Sequence, residues 1–380
     1  MTKRFVYMDS AATTEVYPEV VTEMLPYYLD KYGNPGGHYS IGEEAKRKVQ
    51  ESREKIAKTI NADPKNIFFT SGGSESDNLA IRGIIDNYRQ GHIITTTIEH
   101  KAVLNVCNYL NNNGFRVSFI EPDERGYINP SDIEDAIDNG TIIVSVMMVN
   151  NEIGTVQPVK EIAKICHKHG VLFHTDAVQA YGHMPIDVKD IGADLMSVSG
   201  HKFHAPKGTG FLYVKKPSLL SPLIFGGGQE GGLRGGTENV PGIVGLATAA
   251  EIANKNLVQN MNNITGLRDH MIERIIKEIP KATLNGSLVN RCSNNVNVCI
   301  EGIGGESLLV LLDMKGICAS TGSACNSSDG KPSHVLKAIG LSDAQAKGSL
   351  RFTLDDNVTI EDADYTVDVL KDCVCQLRGV

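Results

Sequence analysis

The sequence contains no long hydrophobic run, and this lack argues against a membrane-spanning helix. The longest strongly apolar stretch, residues 142–149, is interrupted by Ser145 and is far shorter than the roughly 20 residues that cross a bilayer. The apolar stretch near the N-terminus, residues 5–8, is too short for the core of a secretion signal. We therefore expect a cytoplasmic protein with no membrane partner.

Cysteine and positive charge are also scarce. Eight cysteines among 380 residues are too few for a disulfide framework, so most of them are expected to be buried thiols in a reducing compartment. The 37 lysines and arginines are outnumbered by 45 aspartates and glutamates, which gives a net charge of −8. This balance argues against nucleic acid as the main partner, because nucleic-acid-binding surfaces carry an excess of positive charge.

What the sequence does contain is an alternation of strands and helices. A length of 380 residues with 41% hydrophobic and 22% charged residues describes a globular protein with room for two domains. Short apolar runs without a polar face predict strands buried on both sides, at residues 67–71, 93–97, 116–120, 142–149, 171–174, 195–198 and 210–214. Amphipathic helical patterns lie between most of them. The alternation predicts an α/β fold with a mostly parallel central sheet and helices on both faces.

The alternation of strands and helices ends after Pro217. There a glycine-rich loop precedes an alanine-rich helix predicted from Pro241 to about Asn254. The elements predicted beyond it are a helix, two strands and a final helix, at residues 264–279, 295–300, 349–354 and 360–377. We expect a large domain and a smaller α+β domain, preceded by an arm that packs with the small domain. The corresponding ranges are 15–257, 258–380 and 1–14.

Two charged residues follow two of the predicted strands and suggest a cofactor. Asp176 closes the apolar segment that begins at Val171, and Lys202 follows the strand of residues 195–198. Pyridoxal phosphate (PLP) chemistry needs a lysine that forms a Schiff base and a carboxylate that keeps the pyridine nitrogen protonated. In such sheets the ligand lies beyond the carboxyl ends of the strands, where both residues are expected. The pair alone is weak evidence, because most charged pairs lie on solvated surface.

Three other segments that follow predicted strands carry side chains suited to the same site. Gly73 and Ser74 lie just before a helix predicted from about Glu75, where backbone N–H groups and a hydroxyl can bind a phosphate. His100 can stack on an aromatic cofactor and move protons, although a histidine in this place can equally cap the next helix. The amide of Asn151 can bond a substrate carboxylate and a ring substituent, or it can belong to an ordinary turn.

One cysteine lies in a segment of small residues. Cys325 is part of residues 319–330, which are rich in Ser, Gly and Ala, a composition that disfavours regular structure and predicts a mobile loop. Inert cysteines are usually buried, whereas a thiol on an exposed loop is suited to reaction. No basic neighbour in the sequence lowers the pKa of Cys325, so a histidine such as His100 is expected to take the thiol proton. The alternative is a linker that happens to contain a cysteine.

These motifs resemble those of cysteine desulfurases of the iron–sulfur-cluster and nitrogenase-maturation type, within the class-V aminotransferase family and PLP fold type I. The resemblance covers nearly the whole chain and is carried by residues 9–14, 33–35, 70–76, 99–101, 149–154, 176–179, 199–202, 234–239, 322–325 and 350–352. It implies an enzyme that converts L-cysteine to L-alanine and passes the sulfur, as a persulfide on Cys325, to an acceptor protein such as an iron–sulfur scaffold.

The resemblance also implies roles for individual residues. Lys202 would carry the Schiff base, and His100 would stack on the PLP ring and move protons. The other implied PLP contacts are Asp176 at the ring nitrogen, Gln179 at the ring oxygen, Asn151 near the ring, and Gly73, Ser74, Ser199, His201 and Thr237 at the phosphate. Thr237 would come from the partner subunit of a homodimer. The substrate carboxylate would be bound by Asn34, Asn151 and Arg351, where the arginine fork suits a carboxylate.

Cys325 would attack the sulfur of the substrate, and it would also serve as a transient ligand of an iron–sulfur cluster through its persulfide. The sequence departs from its relatives at two points. Ser74 replaces a common threonine and keeps the hydroxyl. Ala205 replaces a usual glycine, which argues against a positive φ at that position.

Other functions remain open at this stage. A selenocysteine lyase or another PLP β-lyase would use the same fold, and a non-catalytic scaffold would keep the fold only to dock partners. The intact Lys202, Asp176 and Cys325 argue against a scaffold, and a plain aminotransferase would leave Cys325 without a task. The sequence does not select among a cluster scaffold, a tRNA-thiolation protein, a nitrogenase system and DNA sulfur modification as the destination of the sulfur.

Overall fold

The computed structural model describes residues 4–321 and 332–379, and its largest element is a seven-stranded sheet. Numbered along the chain and given in spatial order, the strands are β2 (Ile67–Thr70), β8 (Gly210–Val214), β7 (Leu195–Ser199), β6 (Leu172–Asp176), β5 (Thr141–Ser145), β3 (His92–Thr96) and β4 (Arg116–Ile120). Strand β8 pairs antiparallel with both neighbours, and the other pairs in this sheet are parallel. The predicted mostly parallel sheet is confirmed.

Both faces of this sheet are buried. Neighbouring residues of one strand enter different hydrophobic cores: Phe68 packs in one, and Ile67 and Phe69 pack in the other. The same alternation occurs at Ile93 and Ile94. The helices that accompany the sheet are α3 (Ser40–Thr59), α4 (Gly73–Ile85), α5 (Lys101–Asn112), α6 (Pro130–Ala136), α7 (Val159–Lys168) and α8 (Val188–Ile191). Burial on both faces explains why the strands have no polar side in the sequence.

A third core belongs to the C-terminal part of the chain. Its sheet is antiparallel, with β10 (Asn295–Ile300) between β9 (Ala282–Leu284) and β12 (Ser349–Thr353). Its helices are α10 (Gly305–Met314), α11 (His334–Ala338), α12 (Asp343–Lys347) and α13 (Ile360–Arg378). The N-terminal strand β1 (Val6–Tyr7) pairs parallel with β11 (Ile317–Cys318), and Val6 and Met8 pack into this core. Two short helices, α1 (Pro18–Met24) and α2 (Pro26–Leu29), follow the N-terminal segment.

The two helices predicted between residues 241 and 279 are one continuous helix, α9 (Val240–Glu278). The predicted break near residue 254 is therefore wrong, and the expected domain boundary at residues 257–258 falls inside this helix. The first part of α9 packs in the core of the large sheet, whereas Ile264 and Met271 pack in the C-terminal core. The hydrophobic face changes sides between the two cores, so the sequence periodicity is interrupted although the backbone is not.

The left-handed residue near Lys202 is His204 and not Ala205. His204 has a φ of 66° and is stacked on Tyr17, with ring centroids 4.0 Å apart. Its N–H donates to Thr14 Oγ1, and its Nδ1 hydrogen-bonds the carbonyl of Glu15. These contacts compensate for the cost of a positive φ in a residue with a side chain.

Among the helices of residues 4–321 and 332–379, none combines the length and the apolar character needed to cross a bilayer.

A buried ion pair anchors the glycine-rich loop of residues 226–236 to the large sheet. Arg53 of α3 donates to both carboxylate oxygens of Glu230, at 2.8 and 2.7 Å, and the N–H of Phe69 donates to the same carboxylate at 2.8 Å. The Glu230 and Arg53 side chains are only 3% and 13% exposed. Removal of one partner leaves an uncompensated buried charge.

We expect Arg53→Ala to lower the free energy of unfolding by about 3 kcal/mol, the cost typical of breaking a buried pair from one side. The matched control is Lys55→Ala, which removes the exposed ion pair with Glu251 and should cost less than about 1 kcal/mol. Urea denaturation followed by circular dichroism measures both variants. Equal losses in the two variants would contradict the importance of the buried pair.

Candidate active site

A cavity of about 610 Å³ opens beyond the carboxyl ends of the parallel strands. Its walls come from the segments that follow β2, β3, β5, β6 and β7, which all end at the same edge of the sheet. The predicted site residues that line it are Gly73, Ser74, His100, Asn151, Asp176, Gln179, Ser199, His201, Lys202 and Arg351. The fold therefore brings together side chains that are up to 278 positions apart in the sequence (351 − 73).

The glycines after β2 make room for a close approach of the backbone. Gly72 has a φ of 148°, and Gly73 is the first residue of helix α4. A Cβ atom on Gly73 would lie 2.8 Å from Cγ2 of Val178, too close for any larger residue. The first N–H groups of α4 have no acceptor within the helix and lie at its positive end. This end of the cavity is suited to an anion such as a phosphate.

Lys202 lies at the end of a short 3-10 turn, Gly200–Lys202, that follows β7. Its Nζ donates to the carbonyl oxygens of Ala11 and Ala12 at 2.7 and 2.8 Å. Gln179 Nε2 donates to the same Ala11 carbonyl at 3.1 Å. Nε2 of His183 donates to the Lys202 carbonyl at 3.2 Å. The ring of His183 is neutral, because burial lowers its pKa to about 4. Both the amine and the backbone of Lys202 are thus positioned.

Asp176 ends strand β6 and is buried at the base of the cavity. One carboxylate oxygen accepts the N–H of Val178 at 2.9 Å. Burial raises the pKa of Asp176, and the N–H of Val178 and the positive charge of Lys202 act in the opposite direction. An acid in this position is suited to hold a protonated ring nitrogen, because a cation there would complete the neutralisation.

The structure confirms that His100 caps a helix, whereas its role at a cofactor stays a prediction. The side chain lines the cavity, and it also caps helix α5, because its Nδ1 accepts the N–H of Ala102 at 3.2 Å. A neutral ring that accepts at Nδ1 carries its proton on Nε2. The neutral His100 ring can therefore donate at Nε2, and it can accept a proton at Nδ1 only if the hydrogen bond with Ala102 is broken.

Arg351 of β12 forms the other end of the cavity. Its Nη2 donates to Asp9 Oδ1 at 2.7 Å, and its Nη1 donates to the Asn151 carbonyl at 2.8 Å. Its Nε is buried and has no hydrogen-bond partner among the described residues. A buried donor without a partner is costly, and a carboxylate from a bound ligand would satisfy it.

The described residues on either side of the segment with Cys325 are attached to this end of the cavity. The backbone of Ser320 pairs with the backbone of Arg351. Ser333 donates its hydroxyl to the carboxylate of Glu152, which lines the cavity. Burial raises the pKa of Glu152 to about 7, and the Ser333 hydrogen bond and Arg351 lower it. Cys325 itself lies outside the described residues.

Two predicted site residues are not brought to the cavity. Asn34 is exposed, and its side chain accepts the N–H of Gly36 at 2.9 Å. Thr237 is also exposed. Neither lines the cavity of this chain. Among the described residues there is also no group of three metal-ligating side chains.

Sequence reasoning missed several residues that shape the cavity. Asp9 and the carbonyls of Ala11 and Ala12 lie far from Lys202 and Arg351 in the sequence, and no strand or helix pattern marks them. Asp77 and Glu152 also line the cavity without an assigned role. The motifs that carry the family resemblance include residues 9–14 and 149–154, so a signal existed, but it did not say what each residue contacts.

Glu99 lies beneath the cavity and provides a test of these buried charges. One of its oxygens accepts from Thr96 Oγ1 and from the N–H of Met147, both at 2.9 Å. Burial is the main reason that its pKa is raised to about 8. A carboxyl whose pKa is higher in the folded state stabilises the fold below its unfolded pKa of about 4.5, and this stabilisation is lost as the pH rises to about 8.

We expect Glu99→Gln to reduce the fall in melting temperature of the cofactor-free protein between pH 5 and pH 8.5, because glutamine keeps the acceptor and does not titrate. Thermal unfolding at several pH values measures this. Glu121→Gln is the control, since Glu121 also accepts a threonine hydroxyl, from Thr97 at 2.8 Å, but is exposed. An unchanged pH dependence in Glu99→Gln would contradict the raised pKa.

Comparisons with known proteins agree with this geometry. The model of the family "Aminotransferase class-V" matches residues 6–366. A curated protein of Methanosarcina thermophila, "Cysteine desulfurase IscS", is 50% identical over 377 residues, which are 99% of this chain and 93% of that protein.

Two solved structures are similar in fold and in sequence. One described as "NIFS-LIKE PROTEIN" has a TM-score of 0.93 and 38% identity and covers 99% of this chain and 100% of its own. One described as "SspA in complex with cysteine" has a TM-score of 0.83 and 40% identity and covers 92% of this chain and 99% of its own. The chain therefore belongs to the class-V aminotransferase family and, within it, to the cysteine desulfurases.

Proposed function

We propose that this enzyme uses PLP to convert L-cysteine to L-alanine, that Cys325 receives the sulfur as a persulfide, and that an acceptor protein then takes it, in the first place for iron–sulfur cluster assembly. The observation that carries the proposal is a single cavity with Lys202 and Asp176 at one end and Arg351 at the other. The chain on both sides of Cys325 is attached at the Arg351 end. A relative solved with bound cysteine supports the substrate.

The residues present fit PLP. The phosphate is assigned to the first turn of α4, with Gly73 and Ser74, and to Ser199 and His201 across the cavity. Gly73 has no side chain, and a Cβ atom there would meet Val178. Its backbone N–H can therefore approach an anion closely. PLP, when bound, supplies an aldehyde that reacts with amines and a ring that withdraws electrons from the substrate.

Four side chains are assigned to the PLP ring. Asp176 would pair with a protonated ring nitrogen, and Gln179 would bond the ring oxygen, with Asn151 near the ring. His100 would stack on the ring and could donate from Nε2. The hydrogen bonds of Asp176 with Val178 and of Gln179 with Ala11 hold these two side chains in place.

Lys202 reacts only as a neutral amine. In this structure its Nζ is bound by the carbonyls of Ala11 and Ala12, an environment that favours the charged form. The amine must leave at least one of these acceptors and lose a proton before it bonds to carbon. A positively charged ring next to it favours that loss.

Arg351 binds the carboxylate of the substrate. Asp9 and the Asn151 carbonyl hold two of its nitrogens, so the guanidinium is oriented before the substrate arrives. Preorganised donors of this kind avoid the cost of ordering a long side chain during binding.

Cys325 acts on the sulfur of the bound cysteine. Its thiolate forms the S–S bond, the C–S bond of the substrate breaks, and the electron pair left on carbon takes a proton to give alanine. Four peptide units join Thr321 to Cys325, so the chain can extend at most about 14 Å between them. The thiol proton can go to His100 only when the contact of its Nδ1 with Ala102 opens.

The proposal also covers the oligomeric state of the enzyme, its cellular location and the roles of its domains. Thr237 of the partner subunit completes the phosphate site in a homodimer, and Asn34 contributes to substrate binding; both are exposed and neither lines the cavity of its own chain. The enzyme works in the cytoplasm, which agrees with free thiols at all seven cysteines that the structure describes.

The persulfide of Cys325 also ligates an iron–sulfur cluster transiently on the acceptor scaffold. No nucleic acid takes part. Residues 1–14, 15–257 and 258–380 act as arm, cofactor domain and small domain.

We expect Lys202→Ala to bind PLP without the absorption band of a lysine adduct and to release alanine from cysteine only at background rate. Lys202→Arg is the matched control, because it keeps the positive charge but cannot bond to the aldehyde. Visible absorption and alanine release are the measurements. Desulfurase activity in Lys202→Arg would contradict the role of this amine.

We expect Cys325→Ser to keep the PLP absorption band and to lose persulfide formation and alanine release, because the hydroxyl is a far weaker nucleophile. Cys375→Ser, which changes an exposed cysteine on α13, should retain both activities. Mass spectrometry of the enzyme after incubation with cysteine detects the added sulfur. Full activity of Cys325→Ser, or a clear preference for selenocysteine in parallel assays, would require a different function.

A further inference from the structure

A histidine at the start of α11 lies in the wall of the cavity. His334 is the first residue of this helix and lines the cavity. Its neighbours hold it there, because Ser333 donates to the carboxylate of Glu152 and Val335 packs in a core of the large sheet. The desulfurase reaction proposed above gives His334 no role.

The hydrogen bond of His334 fixes which of its ring nitrogens carries the proton. Nε2 lies 3.0 Å from the carbonyl oxygen of Glu99. A carbonyl can only accept, so the proton is on Nε2, and in the neutral ring Nδ1 has a lone pair. Among residues 4–321 and 332–379, Nδ1 has no hydrogen-bond partner, and it is not fully buried. The wall of the cavity therefore contains an imidazole nitrogen that can accept a proton.

The other two histidines that line the cavity in the described part of the chain differ in this respect. Nδ1 of His100 already accepts the N–H of Ala102, so its lone pair is in use. Nδ1 of His201 lies 3.1 Å from Thr13 Oγ1, and a hydroxyl can donate or accept, so this contact does not fix the tautomer. Only the contacts of His334 set an acceptor nitrogen and leave it without a partner among the described residues.

The surroundings of His334 suit a base that works beside a thiolate. Burial lowers the pKa of His334, the hydrogen bond to the Glu99 carbonyl opposes this shift, and the charge of Lys101 adds to it. The ring is therefore neutral near pH 7.5 and ready to take a proton. Lys101 also lines the cavity, where its positive charge stabilises an anionic sulfur. The other titratable groups of this part of the cavity are His100 and Glu152.

We propose that Nδ1 of His334 is the base that takes the thiol proton of Cys325 when this thiol enters the cavity. The S–H bond breaks and an Nδ1–H bond forms, while Nε2–H continues to donate to the Glu99 carbonyl. The thiolate then attacks the substrate sulfur, and the proton on Nδ1 is available for the carbon from which the sulfur departs. The inference rests on the proposed function and assigns to His334 the proton transfer that the sequence suggested for His100.

The rate at which iodoacetamide modifies Cys325 in the cofactor-free full chain measures how readily this thiol loses its proton. Mass spectrometry of the peptide that contains Cys325 separates it from the other cysteines. We expect His334→Gln to lower the rate at pH 7 by roughly tenfold, the factor that corresponds to one pKa unit of the thiol. Near pH 10 the rates should be equal, because the thiol then ionises without a base. The glutamine amide can still donate to the Glu99 carbonyl, so the variant removes the base and keeps the anchor.

Two further histidine variants serve as comparisons. His38→Gln changes an exposed histidine and should leave the modification rate unchanged at every pH. His100→Gln removes the other candidate base, and we expect a smaller loss of rate than in His334→Gln. Equal rates at pH 7 in the wild type and His334→Gln would overturn the proposal. A larger loss in His100→Gln than in His334→Gln would assign the proton to His100 instead.

Added imidazole distinguishes a base from a residue that only supports the fold. We expect the holoenzyme of His334→Ala to release alanine from cysteine slower by roughly tenfold or more. Free imidazole should restore part of the rate, because it can take the proton in place of the missing ring. Wild-type activity of this variant, or a slow rate that imidazole does not raise, would rule out the base. The modification of Cys325 needs neither cofactor nor substrate, so its result is separate from the test of the desulfurase itself, which fails if Cys325→Ser is fully active.

Discussion

The shared direction of the parallel strands is the constraint on which the site depends. β2, β3, β5, β6 and β7 all end at one edge of the sheet, so the segments that follow them meet there. Gly73, His100, Asn151, Asp176 and Lys202 each belong to one of these segments. These residues need not be close to one another in the sequence, because the sheet itself brings the strand ends together. The hydrophobic burial of the sheet on both faces supplies the driving force.

A second constraint joins the two ends of the cavity. The N-terminal segment of residues 9–14 bonds Lys202 through two backbone carbonyls and Arg351 through the carboxylate of Asp9. Strand β1, which precedes this segment, packs in the C-terminal core, and the N–H of Thr14 donates to the carbonyl of His201 next to Lys202. One short piece of chain thus positions the amine and the carboxylate-binding arginine relative to each other. A change in this segment is expected to affect both groups together.

The site also contains several buried carboxyl groups, for which ionisation is costly. Asp77, Glu99, Glu152 and Asp176 are buried carboxyls, and burial raises the pKa of each of them. Such groups weaken the fold near neutral pH and are typical of functional sites. Positive groups at the cavity offset part of this cost. The charges that a bound phosphate, ring nitrogen and substrate carboxylate bring would offset more.

The sequence by itself determined the fold class, the strand-end positions of Lys202 and Asp176, and the family, because apolar periodicity and local motifs are properties of short segments. It failed at α9, where one helix changes cores and its periodicity breaks. It made no prediction for His204, whose positive φ is supported by contacts with Tyr17 and Thr14. Only the tertiary structure decided that Ala11 and Ala12 hold Lys202 and that Asp9 orients Arg351. These contacts join residues far apart in the chain, and hydrogen bonds between distant residues leave no periodic trace in the sequence.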